Sequence, residues 1–570
     1  MEKITRSDLF VHDMVHDNPA AVRYQTQYKD PAFLKSRGYD GKTFDLSNCA
    51  QYGLLWDGVG ESFGRKTIFP EGSEARKWVL SRKEQMRKAY REATDCGLEV
   101  SFMMDMIVLP VAVTEIFPEI LNSDGKIDVA RPLTEKLIEK MFDEMFKEFP
   151  QIKGIYIRFG ETYTGKRYGA PYHTGNNPIL KIDSEEYHFL LINYLQRIVC
   201  NKHGRQIYYR TWGMWGCGDF QYGKATYLKI SDKVPVNANF YFCIKHTSGD
   251  FHRCTVFNQT LNCGKHNQIV EVQAAREYEG KGAFPDYIAD GVINGFEEYK
   301  WLMQNEKPRS LRDVVNVENS KVKGLWTWSR GGGWDGPYIN GTNGLYGEEI
   351  VKNGSELWCD LNAYVLSSWA KDTGKSDRFF VLKYAEEVLK MNEADRNTFY
   401  DICILSQRAV LLGRGVNTDG YAWDPWWTRD QNINPQLFYG NIQNALRSGA
   451  EKELLWEKHR SVELWREIVR LSNGIKSGEN QKFIKVSCKY GYYLFAIYET
   501  MFKANIRFMQ GKSVKKTVAL YDELWKAWQA LKENNDCCPT LYAKADENQR
   551  LVGYEGNRGF DSVMNNLRSE

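Results

Sequence analysis

From about residue 48 to about residue 345, short apolar runs alternate with amphipathic helical stretches. The runs with strand-like composition are QYGLLW, LEVSFMMDMIVL, GIYIRF, QIYYRTW, VNANFYFCI, QIVEVQ and KGLWTWS. Helical spacing with a charged outer face is found between them, as in ARKWVLSRKEQMRKAYREATD and ARPLTEKLIEKMFDEMFKEF. Roughly seven or eight such units over about 300 residues predict an α/β fold, a (β/α)8 TIM barrel, in preference to an open sheet.

The pattern changes after about residue 345, where long helical patterns replace the strand-like runs. They include SELWCDLNAYVLSSWAKD, DRFFVLKYAEEVLKMN, KELLWEKHRSVELWREIVRLSNGI and KKTVALYDELWKAWQALKEN. A glycine-rich segment over residues 329–347 marks the change and predicts a loop. We therefore predict an N-terminal extension over residues 1–45, a catalytic barrel over 46–345 and an all-helical C-terminal domain over 346–570.

Three carboxylates follow strand-like runs and stand next to glycine or a polar turn. Glu161 lies in GIYIRFGETYTG, Asp250 in FCIKHTSGDFHR and Glu277 in VEVQAAREYEG. Barrel strands present catalytic side chains at their C-terminal ends, and glycoside hydrolysis needs one protonated carboxyl group and one carboxylate. We predict that Glu161 is the general acid and that Asp250 and Glu277 activate water, with inversion. Taken alone, such an acid more often caps a helix or pairs with a nearby arginine.

Two cations also lie at the ends of strand-like runs, Arg210 at the end of RQIYYR and Lys245 at the end of FYFCIK. One interpretation is that they bind the carboxylate of a sugar acid; the other is that they are structural partners of the acids. Aromatic residues make up 14% of the chain and cluster near strand ends, as in RTWGMWGCGDF, which contains Trp212. Such clusters suit stacking on sugar rings, whereas a single aromatic residue more often packs in a core.

Bulk composition narrows the classes of partner. The chain has 76 basic and 73 acidic residues and a formal net charge of +3, which selects neither nucleic acid nor an anionic membrane. Its cysteines form no C-x-x-C pair and its histidines are scattered, so we expect free thiols, no metal and no cofactor. The absence of a long apolar stretch predicts no membrane span. We expect a cytoplasmic location, or a periplasmic one if a leader has been removed.

The order and spacing of these residues resemble the catalytic region of glycoside hydrolase family 67, the α-glucuronidases of xylan breakdown. IRFGETYTG places Glu161 at the family's general acid, and YYRTWGM places Arg210 at an arginine that contacts the substrate. IKHTSGDF gives Lys245 and Asp250 the separation of the family's binding lysine and catalytic aspartate. EVQAAREYEG places Glu277 at the second catalytic carboxylate.

The resemblance extends to both sides of this region. LLWDGVGESFGRKTIF, with Trp56 and Asp57, is similar to the segment whose tryptophan walls the sugar pocket in the family. LWCDLNAYVLSSWAKD is similar to the start of the family's helical C-terminal domain. A lysine that the family has shortly before the general acid has its nearest counterpart in Arg158, one position away. The segment around Glu161, GETYTGKRYGAP, departs from the family's pattern on the leaving-group side.

The resemblance implies an inverting, exo-acting, metal-independent hydrolase that removes an α-linked uronic acid, glucuronate or its 4-O-methyl form, from oligosaccharides. Arg210, Lys245 and Arg158 are then expected to hold the uronate carboxylate, and Trp56 to pack on the ring. Asp57 and Trp212 complete the expected substrate-binding set. The family also implies a homodimer through the C-terminal domain. Two alternatives remain: the same chemistry on a different sugar, and a catalytically silent carbohydrate-binding protein.

Overall fold

Eight parallel strands close into a barrel in chain order. The computed structural model describes residues 4–13, 26–45, 48–158, 170–174, 185–210, 223–253, 255–276, 279, 282–304, 306–328, 338–339, 356–417, 421–422, 435–535, 537, 539–540 and 560–568. The barrel strands are β1 (Phe10–Asp13), β2 (Gly41–Phe44), β3 (Glu99–Asp105), β4 (Ile152–Arg158), β5 (Gln206–Arg210), β6 (Phe240–Lys245), β7 (Asn267–Gln273) and β8 (Val322–Trp328).

Helices surround the barrel and then make up nearly all of the described C-terminal part. The first group is α1 (Pro31–Ser36), α2 (Val59–Ser62), α3 (Glu74–Asp95), α4 (Val111–Ile116), α5 (Pro132–Glu148), α6 (Glu185–Leu195), α7 (Lys224–Ser231), α8 (Ala289–Asn294), α9 (Tyr299–Leu302) and α10 (Leu311–Val315). The second is α11 (Leu357–Lys371), α12 (Asp377–Glu387), α13 (Glu393–Arg414), α14 (Pro435–Ser448), α15 (Glu451–Gly474), α16 (Gln481–Met509), α17 (Lys515–Glu533) and α18 (Asp561–Met564). The predicted TIM barrel followed by a helical region is confirmed.

Within the described residues, two pairs of two-residue strands lie outside the barrel. They are β9 (Tyr338–Ile339) with β12 (Pro539–Thr540), and β10 (Val416–Asn417) with β11 (Tyr421–Ala422). A π-helical turn over Gln196–Lys202 continues α6. Among the helices that the structure describes, none is both long enough and apolar enough to cross a membrane.

Helix α3 shows how the amphipathic pattern produces the outer layer. The side chain of Ser73 accepts a hydrogen bond from the Arg76 backbone N–H, which caps the first turn. The residues that α3 buries recur every three or four positions, so they form one face toward the strands. They are Val79, Lys83, Met86, Tyr90 and Ala93.

The barrel begins before the predicted boundary at residue 46. Both β1 and β2 lie within the segment expected to be an extension, and each has only four residues. β1 pairs with β8 and closes the barrel, and β2 pairs with β3. Residues 1–45 therefore contribute two barrel strands, which are too short to show a strand period in the sequence. The predicted boundary at residue 345 lies outside the described residues.

Six of the seven strand-like runs overlap a barrel strand. The strand prediction for the seventh run, QYGLLW, is wrong. It overlaps a 3-10 turn over Ala50–Gly53 whose residues are all buried. A Cβ atom on Gly53 would lie 2.8 Å from Met86 Cε and 2.9 Å from Phe149 Cζ, at the α3 and α5 side of the barrel wall. The run is apolar because it packs on these elements, so burial without strand pairing produced the misleading pattern.

Aromatic rings fill the lower lumen. Tyr156 stacks on Trp326 and on Tyr208, with ring centroids 4.0 and 4.3 Å apart. Because side chains alternate between the two faces of a strand, residues two positions further along the same strands point into the same lumen. These are Arg158 after Tyr156 and Arg210 after Tyr208. The apolar floor thus places charged side chains at the C-terminal end of the barrel.

A buried carboxylate on α11 is one of the contacts that tie the helical region to the barrel. Asp360 accepts hydrogen bonds from Arg37 Nε at 2.7 Å and Arg37 Nη2 at 2.8 Å. The hydroxyl groups of Tyr28 and Tyr384 donate to it at 2.7 and 2.8 Å. Four donors satisfy the carboxylate, which allows its burial, and two of the three donor residues lie between β1 and β2.

Candidate active site

Arg158 and Arg210 end neighbouring strands, and each contacts a buried carboxylate. The strand register pairs Asp105 with Arg158 and Arg158 with Arg210, so the three lie level at the ends of β3, β4 and β5. Arg158 Nε is 2.8 Å from Asp105 Oδ1. Arg210 donates from Nε and Nη2 to the two oxygens of Glu271, at 2.7 and 3.0 Å. This second pair is bidentate and almost fully buried, which gives it a fixed geometry.

Lys245 forms a third ion pair at the same end of the barrel. It is the last residue of β6, level with Glu271 on β7, and its Nζ donates to Asp250 Oδ1 at 2.6 Å. Burial opposes ionisation of Asp250, but the charge and hydrogen bond of Lys245 outweigh it and lower the pKa of that carboxyl group. Asp250 is one-third exposed and ionised at neutral pH, the form that can orient or deprotonate water.

The loop that carries Asp250 is held by its own backbone. Ser248 N–H donates to the Val256 carbonyl at 2.8 Å, and Thr247 forms an antiparallel bridge with Phe257. Phe251 meets the ring of Trp328, the last residue of β8, edge-on at 5.8 Å. The loop therefore folds from β6 toward β8 and keeps Asp250 at the mouth of the lumen.

Three of the predicted site residues, Glu161, Glu277 and Trp212, lie outside the described residues, so their predicted roles stay predictions. Arg158, Arg210, Lys245 and Asp250 meet at the C-terminal end of the barrel, where the sequence pattern predicts them. In the part of the chain that is described, no cluster of three or more His, Cys, Asp or Glu residues is arranged to hold a metal ion.

The described contacts of Trp56 and Asp57 lie outside the lumen. Trp56 is only 1% exposed, has a φ of 58°, and its backbone N–H donates to Glu144 of α5 at 2.8 Å. Asp57 is bound by Arg76 of α3, with oxygen–nitrogen distances of 2.6 and 3.1 Å. This segment follows β2 along the outer helices, which explains why its aromatic and acidic residues do not join the ion pairs described above.

Sequence reasoning missed Asp105 and Glu271 as members of the site. Each lies in an apolar run, FMMDM for Asp105 and QIVEVQ for Glu271, where a carboxylate is unfavourable unless a cation is nearby. A carboxylate in an apolar run was therefore the sequence feature that could have indicated a buried ion pair. The partner of each carboxylate lies far away in sequence, 61 residues in the case of Glu271 and Arg210, so no local motif identifies the pair.

No protein-family model matches the chain, and no curated protein matches it. A solved structure, a GH138 enzyme targeting pectin rhamnogalacturonan II, aligns with 99% of this chain and 67% of its own, at 12% identity and a TM-score of 0.49. CpGH84B aligns with 99% of this chain and 77% of its own, at 9% identity and a TM-score of 0.39. A mutant O-GlcNAc hydrolase of Thermobaculum terrenum aligns over 99% and 94%, at 9% identity and a TM-score of 0.36.

Proposed function

We propose that the protein is an inverting glycoside hydrolase that removes an α-linked uronic acid from an oligosaccharide. The observation that carries the proposal is the row of cations and carboxylates at the C-terminal ends of β3 to β7, the position of catalysis in barrel enzymes. In this proposal Glu161 protonates the leaving oxygen. Asp250, kept ionised by Lys245, and Glu277 activate the attacking water.

Three cations favour an acidic sugar. Arg158, Arg210 and Lys245 end three successive strands, β4, β5 and β6, and the arginines can bind a carboxylate with two parallel hydrogen bonds. Each cation also contacts a carboxylate of the chain. Binding of a uronate therefore requires them to divide their donors between the substrate and their internal partners.

A neutral sugar is a second candidate, and the same ion pairs favour it. The internal carboxylates Asp105, Asp250 and Glu271 already neutralise the three cations in the described part of the site. A sugar that carries only hydroxyl groups donates hydrogen bonds to these oxygens and leaves each ion pair intact. This candidate keeps the chemistry and changes only the substrate.

The proposal is tested by NMR of the purified protein with matched panels of uronic-acid-capped and neutral oligosaccharides. We compare the native chain with Glu161→Gln, Asp250→Asn and a control, Asp143→Asn. Asp143 also pairs with a lysine, Lys202 at 2.7 Å, but on the outer face of the barrel. The control is expected to keep full activity.

The anomeric signals distinguish the candidates. Release of the β-anomer from an α-linked uronate, lost in both site variants, supports the first proposal. Release from neutral substrates alone supports the second. Binding without turnover identifies a catalytically silent carbohydrate-binding protein, and absence of both binding and turnover contradicts both proposals.

A further inference from the structure

A buried arginine follows Asp250 closely in the same loop. Arg253 donates from Nε and Nη2 to the two oxygens of Glu279, at 2.9 and 2.8 Å. Its Nη2 also lies 3.6 Å from Asp286 Oδ1. These side chains are at most 10% exposed, so the loop that presents Asp250 ends in a rigid, desolvated ion cluster.

A second arginine holds the main chain of the same loop. Arg276, shortly after β7, donates from Nη1 to the His252 carbonyl at 3.1 Å and from Nη2 to Glu298 at 2.9 Å. Its guanidinium carbon lies 4.0 Å from the centre of the Phe296 ring. The side chain is fully buried. In one orientation, the planar guanidinium group of Arg276 thus contacts the His252 carbonyl, the Glu298 carboxylate and the Phe296 ring. A lysine ammonium group cannot reproduce these three contacts.

The helical region contributes to this cluster. Arg414, the last residue of α13, places its Nε 3.9 Å from Glu279 Oε1. Burial of Glu279 opposes ionisation, but the charges of Arg253, Arg414 and Arg276 outweigh it and lower the pKa to about 2. Glu279 is therefore ionised at every pH at which the protein is assayed and links the loop to the C-terminal helices.

We propose that Arg276 is a positioning residue for Asp250. His252 N–H donates to the Asp250 carbonyl at 2.7 Å, so the chain turns tightly between these two residues. Arg276 holds the far side of that turn through the His252 carbonyl, and Lys245 holds the carboxylate itself. The two contacts fix the orientation of Asp250 toward the lumen. The proposal rests on the proposed function, in which Asp250 activates water.

The test compares Arg276→Lys with a matched control, Arg312→Lys. Arg312 also donates to a backbone carbonyl, that of Thr373 at 2.8 Å, but it lies on α10 away from the Asp250 loop. Lysine at position 276 keeps the charge beside Glu298 and loses the planar geometry that reaches His252. Hydrogen exchange is measured for peptides covering residues 246–253, together with kcat and KM on whichever substrate the panel identifies.

We expect exchange in the 246–253 peptides to accelerate about tenfold in Arg276→Lys, because the loop opens more often, and to stay unchanged in the control. We expect kcat to fall by about 10- to 100-fold with KM nearly unchanged, since a small displacement of a catalytic group affects the transition state more than binding. If Arg276→Lys does not fold, Glu298→Gln serves as the second variant, with the same direction of change.

The possible outcomes separate the two proposals. Unchanged exchange in the loop overturns the role of Arg276. Faster exchange with an unchanged kcat also overturns it, because the loop is then held without positioning a catalytic group. A native chain that hydrolyses no substrate overturns the proposed function, and with it the assignment of Arg276 to catalysis. The exchange data then show separately whether Arg276 holds the loop.

Discussion

Replacement of Asp286 by asparagine is expected to stabilise the folded protein, and the gain is expected to grow between pH 5 and pH 8. Burial and the neighbouring Glu279 carboxylate raise the pKa of Asp286 from 3.8 to about 7, although Arg253 and Arg276 favour its ionised form. The folded protein therefore keeps a proton that the unfolded chain has lost over this range. The free energy of unfolding then falls as the pH rises through the range, because the folded state binds more protons.

The size of the effect follows from the two pKa values. Asp286 has a pKa of 3.8 in the unfolded chain and about 7 in the folded protein. At 1.36 kcal/mol for each pKa unit, this difference lowers the free energy of unfolding of the native chain by about 4 kcal/mol above pH 7. Asparagine does not titrate, and its amide can donate to Glu279 as the protonated carboxyl group does. The stability of Asp286→Asn relative to the native chain is thus expected to rise by roughly 2 to 3 kcal/mol between pH 5 and pH 8.

The groups that face Asp286 come from several elements. Glu279 and Arg276 after β7 and Arg253 from the loop after β6 act on Asp286 directly. Glu298 before α9 contacts Arg253 and Arg276, and Arg414 on α13 contacts Glu279. Burial opposes the charge of Arg253, but Glu279 and Asp286 outweigh it and raise the pKa of Arg253, which stays charged over the whole range. Glu279 is ionised throughout because its pKa is about 2. The pH dependence of the difference in stability between Asp286→Asn and the native chain therefore reports the titration of Asp286.

The free energy of unfolding is measured by urea unfolding, followed by tryptophan fluorescence at pH 5, 6, 7 and 8, from the midpoint and slope of each curve. The control is Asp8→Asn at an exposed ion pair, where the hydrogen bond from Arg6 outweighs a small desolvation effect and lowers the pKa of Asp8. Its small loss of stability is expected to be the same at all four pH values. Equal stabilisation of Asp286→Asn at pH 5 and pH 8 would refute the reasoning. So would a loss at pH 8, since ionised Asp286 would then be a favourable partner of Arg253.

Three further substitutions test other parts of the structure. Asp360→Ala leaves the partly buried Arg37 without its carboxylate and is expected to cost about 3 to 5 kcal/mol in urea unfolding; a loss below about 1 kcal/mol would contradict the role of this link. Glu271→Gln removes the countercharge of Arg210 and is expected to lower the thermal midpoint and kcat together, whereas a change in kcat alone would argue for direct catalysis by Glu271. Gly491→Ala places a Cβ atom 2.4 Å from the Trp465 ring and is expected to cost about 1 to 3 kcal/mol, checked by the same urea assay; an unchanged midpoint would show that α15 and α16 separate freely.

The sequence pattern predicted the fold where strands and helices are long. β3 to β8 have five to seven residues, enough for a continuous apolar run to stand out. β1 and β2 have four residues each and were missed, although the barrel cannot close without them. The run QYGLLW was misassigned because packing under α3 and α5 and burial in a sheet leave the same apolar pattern.

The candidate site was only partly predictable, because two of its three described ion pairs join residues that are distant in sequence. Arg210 and Lys245 were identified at strand ends, and the idea that cations pair with the acids holds for Lys245 and Asp250. The partner of Arg210 is Glu271, which no motif singled out. The cluster around Arg253 brings together a loop after β6, a loop after β7 and the end of α13, so only the closed barrel and its docked helices reveal it.

The aromatic floor of the barrel explains why the charges above it occur in pairs. Tyr156, Tyr208 and Trp326 fill the lumen and exclude water beneath the ion pairs, and a charge in such surroundings is stable only beside an opposite charge. Under the proposed function, a substrate carboxylate would therefore have to compete with Glu271 for Arg210 and with Asp250 for Lys245. Competition for Lys245 would also release Asp250 from the group that lowers its pKa and make it a stronger base once an acidic sugar is bound. A neutral sugar would leave this pair intact. If the proposed function holds, the charge of the sugar therefore determines both how tightly it binds and how basic Asp250 becomes.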